Sequence, residues 1–497
     1  MSSTSNHVVK VRINATVAGK RLGVQEATIA LGVNAIPSIT LVCAPTQGSM
    51  TPLKPDVQAT SITDYLVLYA ELQKKAEGLD ETGSVTISTT DSGTLSGETI
   101  QLKDWILAEA GLSGFSATQA PLLFVTLKHP ICKLTKFGSI YETPKVLMDR
   151  EWNAAATGNN PIDLCGSIYN YVANKVQYWP ATNQLASQFR SKLGEAEFQP
   201  KKYLDWSGTN GIMFNVADGR SQVKRLREAI ARLLIPSDGG TSTWDMLQSL
   251  CGQILTSIVQ EEGHSYLDDK LLMEPTRPWK TSQMTLADYW CNGLSMPCMD
   301  PFRLSGVMAR KLAAYSDMVQ FAIFKMANMN AQPPTSDAFY APKGLNPDKA
   351  DGRIMKVEVP KVLCSAFRRD APRGGSIPGM VVFSEATRKD HYNTLVERYC
   401  QAVYEISACQ MVYATAEMAL RFHDPDDNLL VPGQTAKFEV GADNPILYGY
   451  VRQIVHHMST RGGCGTTVRM SHVRNTPDYQ IDGQTVIAED APNVVYE

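Results

Sequence analysis

Val9-Lys-Val-Arg-Ile-Asn-Ala-Thr-Val17 sets an apolar residue at every second position: Val9, Val11, Ile13, Ala15 and Val17 on one side, Lys10, Arg12, Asn14 and Thr16 on the other. Successive side chains of a strand point to opposite faces, so this period predicts a half-buried strand, turning at Gly19. Outward from it, the period recurs in Ala27, Ile29, Leu31 and Val33. After Asn34-Ala-Ile-Pro37 it returns in Ile39, Leu41 and Cys43. Three strands in succession predict an antiparallel meander. Ala27 to Leu53 carries no charged residue, which invites a membrane reading. Gly32, Asn34, Pro37, Ser38 and Thr40 interrupt the run, however, and Asn-Ala-Ile-Pro reads as a turn between strands, so no membrane span is expected.

A helix is expected over 63–76, with Asp64 capping its first turn and Leu66, Tyr69, Ala70 and Leu72 at helical spacing. Strands follow at 85–87 and 122–127, separated by a short helix over 102–110 that Gly111 stops. Further on, helical periodicity marks 168–176, 223–234, 244–258 and 304–330. The Met-rich last of these reads as core packing. Residues 331–351, with Gln-Pro-Pro-Thr-Ser and Asn-Pro-Asp, have the composition of a linker or long loop. Beyond them come strands at 354–359 and 380–383, then a long amphipathic helix over 387–410 whose stripe includes Tyr392, Leu395, Tyr399, Val403 and Ile406. Four strands close the pattern, at 416–422, 436–440, 447–458 and 466–473, with turns at Pro432-Gly433 and Arg461-Gly-Gly463. The expected class is α+β: two small antiparallel β-barrel-like domains with inserted helices, residues 1–143 and 346–497, bracketing an α-rich middle region, 144–345.

The 497 residues carry 47 Lys and Arg against 50 Asp and Glu, a net charge of -3, so there is no basic footprint for specific nucleic-acid binding. With 43% hydrophobic and 20% charged residues, the composition is that of a globular protein with a large core. The start, Met-Ser-Ser-Thr-Ser-Asn-His, lacks a basic n-region and an apolar h-region, and maturation in the cytoplasm is expected. Ten cysteines are scattered singly. The closest pairs, Cys291/Cys298 and Cys400/Cys409, have neither redox nor zinc-ribbon spacing, so reduced thiols are expected. No phosphate-binding Gly loop, His-Glu-x-x-His, Gly-x-Ser-x-Gly or EF-hand motif is present. Glu261-Glu-Gly-His264 reads as a surface cluster, and His423-Asp-Pro-Asp-Asp427 as a solvated Asp-rich turn rather than a cation loop. His456 and His457 point to opposite faces of their strand and cannot hold one metal together. No catalytic residue, metal site or cofactor is predicted.

The tail of the chain carries the most recognisable text. Pro432-Gly433-Gln434, then Ile446-Leu-Tyr448-Gly449-Tyr450-Val451, then Val455-His-His-Met-Ser459, and finally Thr466-Thr-Val-Arg-Met-Ser471-His472-Val473-Arg474 resemble the C-terminal segment of phage tail baseplate hub proteins. The opening agrees: a strand, a Gly turn and Val33-Asn-Ala-Ile36-Pro37-Ser38 ahead of an apolar strand resemble the start of hub proteins and of type VI secretion spike proteins. These stretches cover about 8–45 and 411–474, and the middle region matches no family.

The resemblance implies a non-enzymatic part of the virion tail baseplate, assembled in the host cytoplasm. Family hubs are homotrimers in which each chain gives two β-barrel domains to a pseudo-sixfold ring, joining a hexameric tail tube to a threefold spike. Implied partners are the tail tube protein, a spike protein, other baseplate proteins and the tape-measure protein. Secretion spikes continue into a β-helical needle where this chain stops, which calls for a separate spike polypeptide. Three alternatives stand beside this: another tail ring or adaptor protein of sixfold symmetry, a tail-associated cell-wall hydrolase, and a cytoplasmic enzyme with a Cys/His pair that the sequence does not mark. The strand 448–454 is the candidate ring contact through Tyr448, Tyr450 and Arg452, because aromatic residues are enriched at interfaces. A core role for both tyrosines is equally open. From the cysteine and ligand spacing, chelator or reductant should leave the melting temperature unchanged, and a large drop with either would contradict this reading.

Overall fold

The computed structural model describes residues 10–43, 62–90, 97–114, 122–135, 162–163, 165–166, 168–169, 172, 200–208, 213–214, 242–261, 270–278, 283–287, 337–340, 355–358, 414–424, 426–439, 446–474, 479–481 and 484–486. The first part holds β1 (Lys10–Val17), β2 (Lys20–Leu22), β3 (Val24–Gly32), β4 (Ser38–Cys43), helix α1 (Ile62–Gly78), β5 (Thr82–Thr90), β6 (Thr99–Ser113) and β7 (Leu122–Lys128), then a 3-10 turn, Pro130–Thr135. The middle holds β8 (Ile162–Asp163), β9 (Leu204–Trp206), β10 (Met213–Phe214), α2 (Thr243–Gln253), β11 (Thr256–Gln260), β12 (Leu271–Pro275) and β13 (Gln283–Ala287). After it come β14 (Asp337–Tyr340), β15 (Met355–Glu358), β16 (Ala414–Met418), β17 (Thr435–Glu439), β18 (Leu447–Ser459), β19 (Gly465–Arg474), β20 (Tyr479–Ile481) and β21 (Gln484–Val486).

Most of the described chain is strand. Twelve strands form one sheet in the order β13-β17-β18-β3-β4-β7-β6-β5-β1-β2, with β19 on β18 and β16 on β19. Strand β18 is the junction. On one edge Leu447–Tyr450 pair with β17 and Gln453–Ser459 with β3, while the other edge pairs with β19 along Tyr448–His457. The first and last parts of the chain therefore share one ladder and one apolar core, which runs from Val11 and Ile29 through Leu127 to Val451, Ile454 and Val468. A separate three-stranded sheet, β11-β12-β9, is flanked by α2.

The alternation in 10–17 is realised as predicted, with Val11, Ile13, Ala15 and Val17 inward. Ala18 and Gly19, both at positive φ, form the tight hairpin to β2. The expected meander is corrected: β3 and β4 do pair, but β1 pairs with β5, and β5, β6 and β7 lie between β1 and β4 in the sheet. Helix α1 forms over the expected span, but it buries Leu68, Leu72 and Ala76, one turn apart, and leaves Leu66 and Val67 exposed.

The helix expected over 102–110 is strand β6. Two bulges account for the misreading. One extra β6 residue sits between the partners of Gly83 and Val85, beside Asp104 at φ +58, and another lies between Leu107 and Glu109. Each insertion stretches the inward spacing from two to three, Leu102 to Trp105 and Leu107 to Ala110, which imitates a helical period. The helix expected over 244–258 ends at Gln253; Leu255 at φ +53 breaks it, and 256–258 belong to β11. Within the expected linker, Asp337–Tyr340 pair with β15, Phe339 and Tyr340 supplying strand-forming residues. The strand expected over 416–422 stops at Met418. The expected helices at 223–234, 304–330 and 387–410 and the strand at 380–383 lie outside the described residues, as does most of 168–176. No helix among the described residues is long and apolar enough to cross a membrane.

Candidate functional site

Three residues from the stretches that carry the family resemblance, Asn34, Gly433 and Tyr450, meet at β11, whose five residues are all buried. The first contact comes from the turn between β3 and β4. Asn34 takes a left-handed conformation (φ +58), which Asn tolerates better than most residues because its short polar side chain bonds locally. Its N–H donates to the Ile258 carbonyl at 2.8 Å, and its side-chain Oδ1 accepts from the Ile258 N–H at 2.7 Å. One asparagine thus satisfies both peptide groups of a buried residue. Gln248 of α2 donates to the Asn34 carbonyl. Pro37, buried two positions before β4 takes Ile39 inward, accepts from the His129 N–H at 2.9 Å. Ile36 is half-buried, and Ser38 opens β4 opposite Ala30 and Lys128.

The second contact is the turn at Pro432-Gly433. Gly433 sits at φ +97, and a Cβ there would fall 2.5 Å from Val259 Cγ1 of β11, so both backbone and space require glycine. Its N–H donates to the Val451 carbonyl at 2.9 Å, and the Val451 N–H returns a bond to Gln434 at 2.8 Å. At Arg452, where β18 passes from β17 to β3, the carbonyl accepts from Val33 at 2.9 Å. Strand β11 therefore lies beside the point at which β18 changes partners.

The third contact is polar and buried. Tyr450 is hydrogen-bonded to Ser257 of β11, and Ser257 Oγ lies 2.6 Å from Thr276 Oγ1. Burial, reinforced by the Glu274 charge, pushes the Tyr450 phenol well above its ordinary range, so it stays protonated. Burial pulls the Arg277 guanidinium down, and the same Glu274 opposes that. The Tyr450 ring meets His472 edge-on at 6.1 Å. His472 occupies a bulge at φ +57, which turns Ser471, His472 and Val473 all inward, with Ser471 Oγ 2.8 Å from His472 Nδ1. Gly449 lets Met470 and Val473 close in, within 3.1 to 3.3 Å of where its Cβ would stand. Tyr448 is also buried, Arg452 is exposed, and Arg474 ends β19 opposite Tyr448. The tyrosines thus pack within the chain, and Arg452 is the candidate contact residue that faces outward.

Ser471 and His472 adjoin each other, as a nucleophile and base do, yet both are about 1% exposed or less, and their neighbours are packed side chains. The arrangement fixes strands. Asp424 of the His-Asp-Pro-Asp-Asp run is buried rather than solvated: its carboxylate accepts from the N–H groups of Asp426, Asn428 and Thr285 at 2.8 to 3.1 Å. Asp426 and Asp427 are exposed, in keeping with a turn. No cluster of three metal-ligating side chains occurs among the described residues. His456 is buried and His457 exposed, on opposite faces as expected. The described cysteines Cys43, Cys132, Cys165, Cys251 and Cys464 are free thiols.

Neither a family model nor a curated relative matches the chain. Solved structures similar to it include tail proteins and a type VI secretion component. It is similar to the tail protein from Neisseria meningitidis MC58, at 9% identity and TM-score 0.38, over 94% of this chain and 97% of that one. Similarity also extends to the 43 kDa tail protein of prophage MuSo2 from Shewanella oneidensis, at 10% identity and TM-score 0.36, over 93% and 97%. A third is the E. coli c3393 protein, a component of the type VI secretion system, at 8% identity and TM-score 0.36, over 92% and 76%. At such scores the likeness alone assigns neither fold nor activity.

The Asn34 contact makes a graded prediction. Asn34→Ala strands the buried Ile258 N–H, at about 1–3 kcal/mol, and adds a left-handed backbone penalty of about 1–2 kcal/mol. Asn34→Gly removes the hydrogen bond alone. Thermal melts should rank parent above Asn34→Gly above Asn34→Ala; equal melting of Asn34→Ala and parent would contradict the clasp.

Proposed function

We propose that this chain is a baseplate hub of a phage tail or related contractile injection machine. It is a non-enzymatic homotrimer that joins a hexameric tube to a threefold spike within the virion. Tail tube, spike, tape-measure and other baseplate proteins are its partners. The observation that supports this reading is that the stretches resembling hub proteins are the places where the three parts of the chain lock together: Asn34 onto Ile258, Gly433 against Val259, and Tyr450 onto Ser257. A chain that transmits load between a tube and a spike needs its β-parts held in one fixed relation. A shared ladder through β18 and a buried polar joint at β11 provide that. In this reading each chain gives two β-units, joined through the β18 ladder, so three chains present six.

Negative-stain classes of the purified protein should show three chains per ring. Six chains per ring would favour the sixfold adaptor, and clearing on a peptidoglycan zymogram would favour a hydrolase. Arg452→Glu reverses the exposed charge where β18 changes partners. It should weaken association in sedimentation while circular dichroism stays that of the parent. Unchanged oligomer size with unchanged fold would place the ring contact elsewhere.

A further inference from the structure

Beyond β16 the chain leaves the sheet and folds back over it. Phe422 is fully buried, and its ring meets the His456 imidazole at 5.0 Å and 62°. Glu98, immediately before β6, reaches across from the first part of the chain. Its Oε2 accepts from the Phe422 N–H at 2.9 Å, and its Oε1 lies 3.7 Å from His423 Nδ1. Glu98 is itself held, its N–H donating to Thr89 Oγ1 at 3.0 Å. Thr466 completes the cluster: its hydroxyl accepts from the Arg421 N–H and donates to the Arg421 carbonyl, both at 3.2 Å, and lies 2.9 Å from His456 Nδ1. A hydroxyl has one proton. That proton can go to the Arg421 carbonyl or to His456 Nδ1, according to the imidazole tautomer; with either tautomer, a second imidazole proton places a charge inside a fully buried ring.

We propose that His456 is an acid-operated release for the strap anchored at Phe422 and Leu430: charging the imidazole drives Phe422 off it and breaks the Glu98 tie, while β18 stays paired with β3. Around His456, β3 presents Ile29 and β19 presents Thr466. The overlying segment brings Arg421, His423 and Asp424, the residue before β6 is Glu98, and His457 of the same strand lies exposed on the other face. A charge on His423 tightens its pair with Glu98, 3.7 Å away. A charge on His456 has the opposite effect. Burial, and next the His423 charge, hold the folded imidazole down to about 3, whereas an exposed imidazole titrates near ~6.5. The open form therefore binds the extra proton between these two values. The latch is at full strength above the higher value and weakens as pH falls toward the lower, by about tenfold in the opening constant per pH unit.

Hydrogen exchange of the full chain, corrected for intrinsic rates, reads this directly at the Phe422 and Leu430 amides, which bond to Glu98 and to the Phe422 carbonyl. Between about pH 6 and pH 4 their opening constant should rise about tenfold per unit, while protection of β3 and β18 amides holds. In His456→Gln the slope should vanish. In Glu98→Gln, which keeps an acceptor for Phe422, it should persist. A flat profile in the parent, a slope retained in His456→Gln or lost in Glu98→Gln, or loss of β3 protection in step with Phe422 would each overturn the proposal.

Discussion

The two-sided pairing of β18 is the constraint from which the rest of the described structure follows. Thirteen residues hold β17 and β3 end to end along one edge and β19 along the other. A strand bonded on both edges tolerates no missing donor and no slip. Moving it by one residue would expose Ile454, His456 and Met458 and bury His457, and every inward residue of the ladder would go with them. Bulges at Tyr448/Tyr450 and Val451/Gln453 absorb the mismatch with β19 while the pairing with β3 stays regular. Because β3 and β18 are far apart in sequence, closing this ladder carries a large loop entropy, repaid only when the common core forms around it.

Strand β11 then closes the weak point. Where β18 passes from one neighbour to the next, Val33 and Gly433 already occupy consecutive carbonyls, at Arg452 and Val451. The peptide of Ile258 alongside would be left unsatisfied in an apolar site, at about 1–3 kcal/mol per group. Asn34 meets both of its needs. The Tyr450, Ser257 and Glu274 cluster works the same way: buried polar groups tolerate only partners at fixed places, so they specify one docking of the middle sheet where an apolar contact would allow several. This is why small, polar and aromatic residues such as Asn34, Gly433 and Tyr450 stand among the core aliphatics of the recognisable text.

Much of the sheet was legible because half-buried strands betray themselves by period. Residues 10–17, 24–32, 38–43, 447–459 and 465–474 form strands where alternation called for them. Alternation says which face is buried and nothing about which strand lies alongside, so the pairing of β1 with β5 and of β18 with β3 was hidden. Strand β6 was misread because two bulges rewrote its period. Strand β11 was read as a helix end because it is buried on all sides and has no alternation to show. Of the site, the motif residues were visible as text. What they touch was not: Ser257, Gln248 and Glu98 carry no local signal, since each acts on a residue about 190 to 325 positions away.

The register of β3 on β18 offers the most direct test. Ala30 and Val455 are cross-strand partners on the less buried face of the sheet, and directly opposed side chains have Cβ atoms about 4.5–5.5 Å apart, near enough for a disulfide after small adjustment. Oxidation of the Ala30→Cys/Val455→Cys double variant should give an intramolecular bond, seen by peptide mapping as a link between the two strands. Leu31→Cys/Val455→Cys, with one thiol on the opposite face, should not cross-link. A bond in the second variant and none in the first, or bonds in neither, would contradict a single sheet joined through these strands.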